Sequence, residues 1–244
     1  MYYFEEEDIN KEESINIYKE LFSEYKNNKP SLQDALKQMF LSVDFDKNKA
    51  NDLINDIITK CISKIDTIFN KIIEKYPNIT KDDAYIICSY TCESKEKEIG
   101  KEYSPYSPYR LLNKNMISKN RKKGINNISK YLYILLNSLR KLEIYQPYNN
   151  TLYRCITEQV KLFPDPNNDK FVPYIIGNQK TFWGFTSTSP NPAMTYDFLK
   201  EDIKDQKIKT GTILVLNGYI WGYDITLFNA YNENEILIEP ERKL

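Results

Sequence analysis

The chain of 244 residues carries 34 basic and 34 acidic residues and is 41% hydrophobic, which predicts a soluble, folded protein able to bury a full core. With zero net charge, and no basic run beyond Lys119-Asn120-Arg121-Lys122-Lys123, nucleic acid is not an expected partner. There is no histidine, so Ser-His-Asp and Cys-His relays and the common histidine-ligated zinc hydrolase sites are excluded.

The N-terminal stretch Met1-Tyr2-Tyr3-Phe4-Glu5-Glu6-Glu7-Asp8 is acidic and lacks the apolar segment of a secretory signal. No apolar run approaches the roughly 18 residues needed to span a bilayer, so no membrane span is expected. Ile15, Tyr18, Leu21, Phe22 and Tyr25 recur at helical spacing up to Pro30. Ser31 with Asp34 then opens a second helix, whose stripe is Leu32, Ala35, Leu36, Met39, Phe40 and Val43. Leu53, Ile54, Ile57, Ile58, Cys61, Ile65, Ile68, Phe69 and Ile72 mark one face of a longer helix ending by Pro77. Thr80 with Asp83 starts a short helix carrying Tyr85, Ile86, Cys88 and Ser89. All these stripes read as core.

The segment Ser104-Pro105-Tyr106-Ser107-Pro108 predicts a turn, followed by helices over 109–116 and 125–142, and Pro147 closes the helical region. The basic run at 119–123 reads as a solvated helix start or loop. Cys61, Cys88, Cys92 and Cys155 show no paired metal spacing and read as buried thiols, with neither a disulfide nor a metal expected.

From Thr151 the texture changes to short β-branched and aromatic runs split by Pro, Asn and Gly. Strands are predicted at 151–156, 181–187, 211–216, near 224–228 and at 235–238, with one helix at 192–199. Helices first and strands afterwards imply an α+β fold: one domain over 1–244, mainly helical at 1–148 and β-rich at 149–244, the helical part packed on a mixed sheet.

Three features carry chemistry. Arg154 lies in the otherwise apolar run Leu152-Tyr153-Arg154-Cys155, where a planar guanidinium suits a phosphate or carboxylate. Phe182-Trp183-Gly184-Phe185-Thr186-Ser187-Thr188-Ser189 is an aromatic strand ending in consecutive hydroxyls. The last strand, Tyr231-Asn232-Glu233-Asn234-Glu235-Ile236-Leu237-Ile238, is expected to point Glu233 and Glu235 to one face and Ile236 and Ile238 to the other. By itself this Glu-x-Glu is also what a solvated strand face of an acid-rich chain produces.

Aromatic-Arg, then Phe-x-Ser-Thr-Ser, then Glu-x-Glu before apolar residues resembles the Arg-Ser-Glu class of mono-ADP-ribosyltransferases, which includes vertebrate ecto-enzymes and bacterial toxins. The resemblance extends to the spacing of Gly211-Thr212-Ile213-Leu214 and Ile225 ahead of the closing strand; it covers residues 80–244 well and 1–79 loosely. It implies the fold of that family and NAD as substrate, without a metal. NAD would be bound by Arg154, Cys155, Ser187, Thr188, Ser189 and Glu235. Arg154 would pair with the phosphates, Ser187 would position Glu235 and the nicotinamide ribose, and Glu235 would hold the ribose 2′-hydroxyl against an oxocarbenium-like transition state. Glu233 would be the acceptor-side carboxylate, and its identity as Glu rather than Gln implies an exposed arginine of a target protein as acceptor. Tyr231 would help to engage that target or else pack in its loop. Tyr196 and Phe198 would face the nicotinamide or form the core face of a short helix.

Cys155 stands where many relatives have glycine, keeping the backbone groups that meet the nicotinamide amide but adding bulk. The missing histidine separates the chain from the poly-ADP-ribosylating branch. An NAD glycohydrolase and a catalytically dead binding module remain as alternatives. The protein is expected in the cytoplasm of its own cell or as an effector delivered without a cleavable signal.

Overall fold

The computed structural model describes residues 19–20, 23–43, 46–93, 106–118, 120–145, 151–156, 181–197, 211–218, 220–240 and 242–243. Two compact units emerge, one formed by Ile9–Glu143 with Leu227–Asn232, the other by Ile144–Thr226 with Glu233–Leu244. The first is helical and the second is built of antiparallel strands, so the class is α+β. No helix among the described residues is long and apolar enough to cross a membrane.

In the helical unit each helix starts where its own sequence caps it. Helix α1, Leu32–Leu41, begins at Ser31, whose hydroxyl accepts from the Asp34 amide at 3.1 Å and donates to the Asp34 carboxylate at 2.7 Å. Asp46 caps α2, Lys47–Lys75, accepting from the amides of Asn48 and Lys49, and one stripe of Ile54, Ile57, Cys61, Ile65 and Ile72 is buried. Thr80 and Asp83 form a full capping box at the start of α3, Lys81–Thr91. Of the first predicted helix, Ile15, Tyr18, Leu21 and Phe22 lie outside the described residues. Tyr25 is buried and shares a 2.9 Å hydrogen bond with the Ser129 hydroxyl.

The remaining two helices correct the sequence reading. Pro108 was expected within a turn but is the first residue of α4, Pro108–Met116, where a missing N–H and a fixed φ suit the first turn. Helix α5, Arg121–Leu139, starts four residues before 125 because the Asn120 side chain accepts from the Lys123 amide at 3.1 Å. The basic run is therefore not simply solvated. Arg121 is only 5% exposed and donates through Nη1 to the Met116 carbonyl at 2.6 Å, while Lys122 and Lys123 face solvent.

Helix α5 packs on α1, α3 and α4, and buries Ile125, Ile128, Tyr131, Leu132, Ile134, Leu135 and Leu139. Each such aliphatic side chain contributes about 1.5–3 kcal/mol on burial. The approach to α4 requires Gly124, because a Cβ there would sit 2.2 Å from the Asn115 carbonyl oxygen.

In the other unit the strands are β1 Ile144–Tyr145, β2 Leu152–Ile156, β3 Thr181–Phe182, β4 Thr186–Thr188, β5 Thr212–Leu216, β6 Gly222–Asp224, β7 Ile236–Ile238 and β8 Arg242–Lys243. They form a four-stranded sheet in the order β1-β6-β7-β4 and the two ribbons β2-β5 and β3-β8. Every pairing among the described strands is antiparallel, where a mixed sheet was anticipated. Leu152, Ile220, Ile236 and Ile238 form a buried cluster, with Tyr145 and Leu216 packed against it.

Three predicted strands change. The run at 181–187 splits into β3 and β4 around residues 183–185. The strand expected near 224–228 is β6, ending at Asp224, and residues 226–228 are a turn. The cause is local: the Asp224 side chain accepts from the Thr226 amide at 3.0 Å and turns the chain. The last strand starts at Ile236, not at Tyr231 or Glu235. Residues 192–197 are helical as expected, with the Asn191 side chain accepting from the Ala193 amide at 3.0 Å; residues 198 and 199 lie outside the described residues.

Candidate active site

Arg154 is held by strand pairing on both sides of β2. On one side it sits opposite Leu214 of β5. On the other, Tyr153 and Ser189 exchange two backbone hydrogen bonds of 2.8 Å, which fixes β2 against the end of β4. Alternation along β2 puts Arg154 on the face of Leu152, which is fully buried. From there the guanidinium donates through Nη1 to the Ser187 carbonyl at 3.0 Å. The half-buried guanidinium carries five N–H donors in a planar fork, so it offers a phosphate or carboxylate several bonds beside β4.

On β4, Thr186 and Thr188 turn inward and Ser187 takes the other, half-buried face. The Thr188 hydroxyl donates to the Ile236 carbonyl at 2.7 Å, and the Ser189 hydroxyl accepts from the Asn191 amide at 3.1 Å. Both hydroxyls thus fasten backbone. Cys155 sits on the face of β2 opposite Arg154, half-buried and paired with Ile213.

Both carboxylates lie directly ahead of β7 rather than within it. Asn232 adopts φ of +60°, the left-handed region, which breaks the extended run, and residues 232–235 precede the strand. Glu235 is 8% exposed, whereas Glu233 is half-buried. Backbone bonds fix Glu235 from two directions. Its carbonyl accepts from the Ile225 amide at 3.0 Å, and the next residue, Ile236, is opposite Thr188 and bonded by its hydroxyl.

Arg154 and Ser187 lie on neighbouring strands, and Glu235 directly precedes β7, the partner of β4. Arg154 reaches Ser187 directly, and Glu235 lies one residue beyond the Thr188–Ile236 pair. The two clamps, Thr188 on Ile236 and Ile225 on Glu235, were not foreseen. The inward position of Thr188 in the alternating Thr-Ser-Thr run was the available signal.

Tyr231 belongs to the helical unit, as do all six residues of Leu227–Asn232. The Phe228 ring meets Tyr76 at 5.9 Å between centroids, the Ala230 amide donates to the Thr91 hydroxyl at 2.9 Å, and Lys64 bonds the Asn232 side chain. The Glu93 amide donates to the Tyr231 hydroxyl at 3.2 Å, so the phenol is anchored although the residue is 48% exposed. Tyr196 is 52% exposed, and Phe198 lies outside the described residues.

No family model and no curated protein matches the chain. Two solved structures are similar to it. The ADP-ribosyltransferase HopU1 of Pseudomonas syringae pv. Tomato DC3000 is 16% identical with a TM-score of 0.49, over 76% of this chain and 78% of HopU1. The type III effector XopAI from Xanthomonas axonopodis pv. citri, lacking 70 N-terminal residues, is 12% identical with a TM-score of 0.39, over 96% of this chain and 90% of that structure. Likeness at this level fixes no residue correspondence, and the functional reading rests on the chain's own residues.

Proposed function

We propose that the protein is a mono-ADP-ribosyltransferase that moves ADP-ribose from NAD to an arginine side chain of a target protein and releases nicotinamide. The observation that carries this reading is the Arg154 to Ser187 hydrogen bond of 3.0 Å, made on the strand whose partner begins directly after the buried Glu235. An arginine, a serine and a carboxylate so arranged suit a dinucleotide whose glycosidic bond must be polarised.

In this reading Arg154 pairs with the NAD phosphates and the Ser187 hydroxyl orients Glu235 and the ribose. As the C1′–N bond breaks, nicotinamide leaves with the bonding pair and positive charge grows on the ribose, which the Glu235 carboxylate stabilises. The incoming guanidinium is a poor nucleophile while protonated, and Glu233 aligns it and takes up its proton as the new C–N bond forms. Thr188 and Ser189 contribute by holding the strand, and Cys155 by its backbone.

Purified protein incubated with labelled NAD and a cell lysate is expected to label arginine, read by mass spectrometry. Glu235→Gln should lower both transfer and nicotinamide release about 100- to 1000-fold. Glu233→Gln should lose transfer while retaining more NAD hydrolysis than Glu235→Gln. Undiminished labelling by the Glu235 variant would overturn the reading, and hydrolysis with no protein ever labelled would make the enzyme an NAD glycohydrolase.

A further inference from the structure

Three cysteines remote in sequence converge in the helical unit. Cys88 and Cys92 are four residues apart, one a helical turn beyond the other at the end of α3, and Cys61 comes from α2, which packs on that helix. Their three sulfurs all lie within 4.8 Å of one another, and Cys61 and Cys92 are 3.6 Å apart. All three side chains are fully buried. A metal–sulfur bond of about 2.3 Å places sulfurs about 3.8 Å apart in a tetrahedral shell and about 4.0 Å apart in a trigonal one. Small side-chain rotations would therefore close the set around one ion.

Buried free cysteines ordinarily behave as small hydrophobes. Two further observations set this cluster apart. Basic side chains of α2 flank it: the Lys60 ammonium bonds the Glu93 carbonyl, one residue after Cys92, at 3.2 Å while also pairing with Asp56, and Lys64 lies one helical turn after Cys61. The residues around the cluster also hold a functional segment. Thr91 and Glu93, on either side of Cys92, bond Ala230 and Tyr231, and Lys64, three residues after Cys61, bonds Asn232.

The geometry points to a three-thiolate site, formed by Cys61, Cys88 and Cys92, for a soft d10 metal ion of the zinc(II) or copper(I) type. Thiolate sulfur selects such ions over magnesium, calcium or manganese. Structural zinc almost always takes four ligands, whereas a closed set of three sulfurs suits copper(I), which should displace zinc from this site. The ion would tie α2 to the end of α3 and so stiffen the floor on which residues 230–232 rest, immediately before Glu233 in the chain. The site stands independently of the transferase reading.

The test uses the full chain, reduced and handled without oxygen, in separate arms loaded with zinc(II) and copper(I) against a chromophoric chelator. One equivalent is expected to be retained in each arm, with copper(I) displacing zinc. X-ray absorption at the metal edge should show sulfur neighbours, and hydrogen exchange at residues 230–232 should slow on loading. Cys88→Ser should lose retention at least tenfold, while Glu235→Gln, which tests the catalytic reading, should bind metal as the parent chain does. Because a cysteine variant can fail to fold, the edge spectrum of the unsubstituted protein decides on its own. Retention in neither arm, a bound ion without sulfur neighbours, unchanged retention by a folded Cys88→Ser, or a Cys61–Cys92 disulfide in anaerobically prepared protein would overturn the site.

Discussion

In the helical unit, Ser31, Asp46, Thr80, Pro108 and Asn120 start helices from positions next to them in sequence, so each element carries the signal for its own beginning. In the strand unit no described strand is longer than five residues, and β2 finds its partner β5 and β4 its partner β7 about fifty or more residues along the chain. One unit is assembled from elements that are locally decided and then packed. The other exists only once distant segments agree on a register. The candidate catalytic residues lie in the second kind, where a single hydroxyl or amide sets the register around a carboxylate.

Four substitutions probe this contrast, in decreasing order of expected effect. Gly124→Ala drives a methyl group toward the Asn115 carbonyl at 2.2 Å, backbone that cannot swing aside, and should cost about 3 kcal/mol in urea unfolding. Packing between α4 and α5 would be looser than described if the cost were near zero.

Asp83→Asn comes next. Asp83 is fully buried, caps α3 through Thr80, accepts from Ser138 at 2.9 Å and meets the Lys141 ammonium at 2.5 Å. Burial pushes this carboxyl up, but the bonds from Lys141, Thr80 and Ser138 outweigh it and hold the group below its ordinary value. A carboxylate lowered in the folded state stabilises fully above its unfolded pKa of about 3.9 and loses that contribution as the pH falls through the lower folded value. Stability should therefore be flat from pH 7 to about 5 and drop below about 4, and the variant should lose about 2 kcal/mol at neutral pH and part of the acid slope. The loss is set below that of a sealed ion pair because Lys141 reaches water.

Thr188→Val removes the bond to the Ile236 carbonyl and should cost about 1 kcal/mol. If register around Glu235 is what this hydroxyl secures, nicotinamide release should fall by more than the stability change explains. Equal, small effects on both would count against a clamp. The mildest change, Ser31→Ala, should cost about 0.5–1 kcal/mol, detected in the helical unit by hydrogen exchange and without effect on NAD turnover.

The same contrast explains what could be read in the sequence. Ser31 with Asp34 and Thr80 with Asp83 act over three residues, so the helix starts were legible. Arg154 and Ser187 stood out by residue type and order, but the bond from one to the carbonyl of the other depends on a bridge between Tyr153 and Ser189 that no local pattern announces. The last strand is shorter than its sequence suggests, because a positive φ at Asn232 interrupts the run and β7 starts only at Ile236. Cys61 meets Cys88 and Cys92 only through the packing of two helices, and spacing along the chain cannot show that.

Residues 227–232 give the helical unit a history as well as a shape. A ribosome that has released only the first 143 residues has not yet delivered Phe228 for Tyr76, nor the Ala230 amide for Thr91. The helices can gather early in synthesis, but their last stabilising contacts wait until most of the strand unit has been made. Nascent chains whose first 143 and first 232 residues have emerged from the ribosome should therefore differ in protease resistance, although they expose the same five named helices.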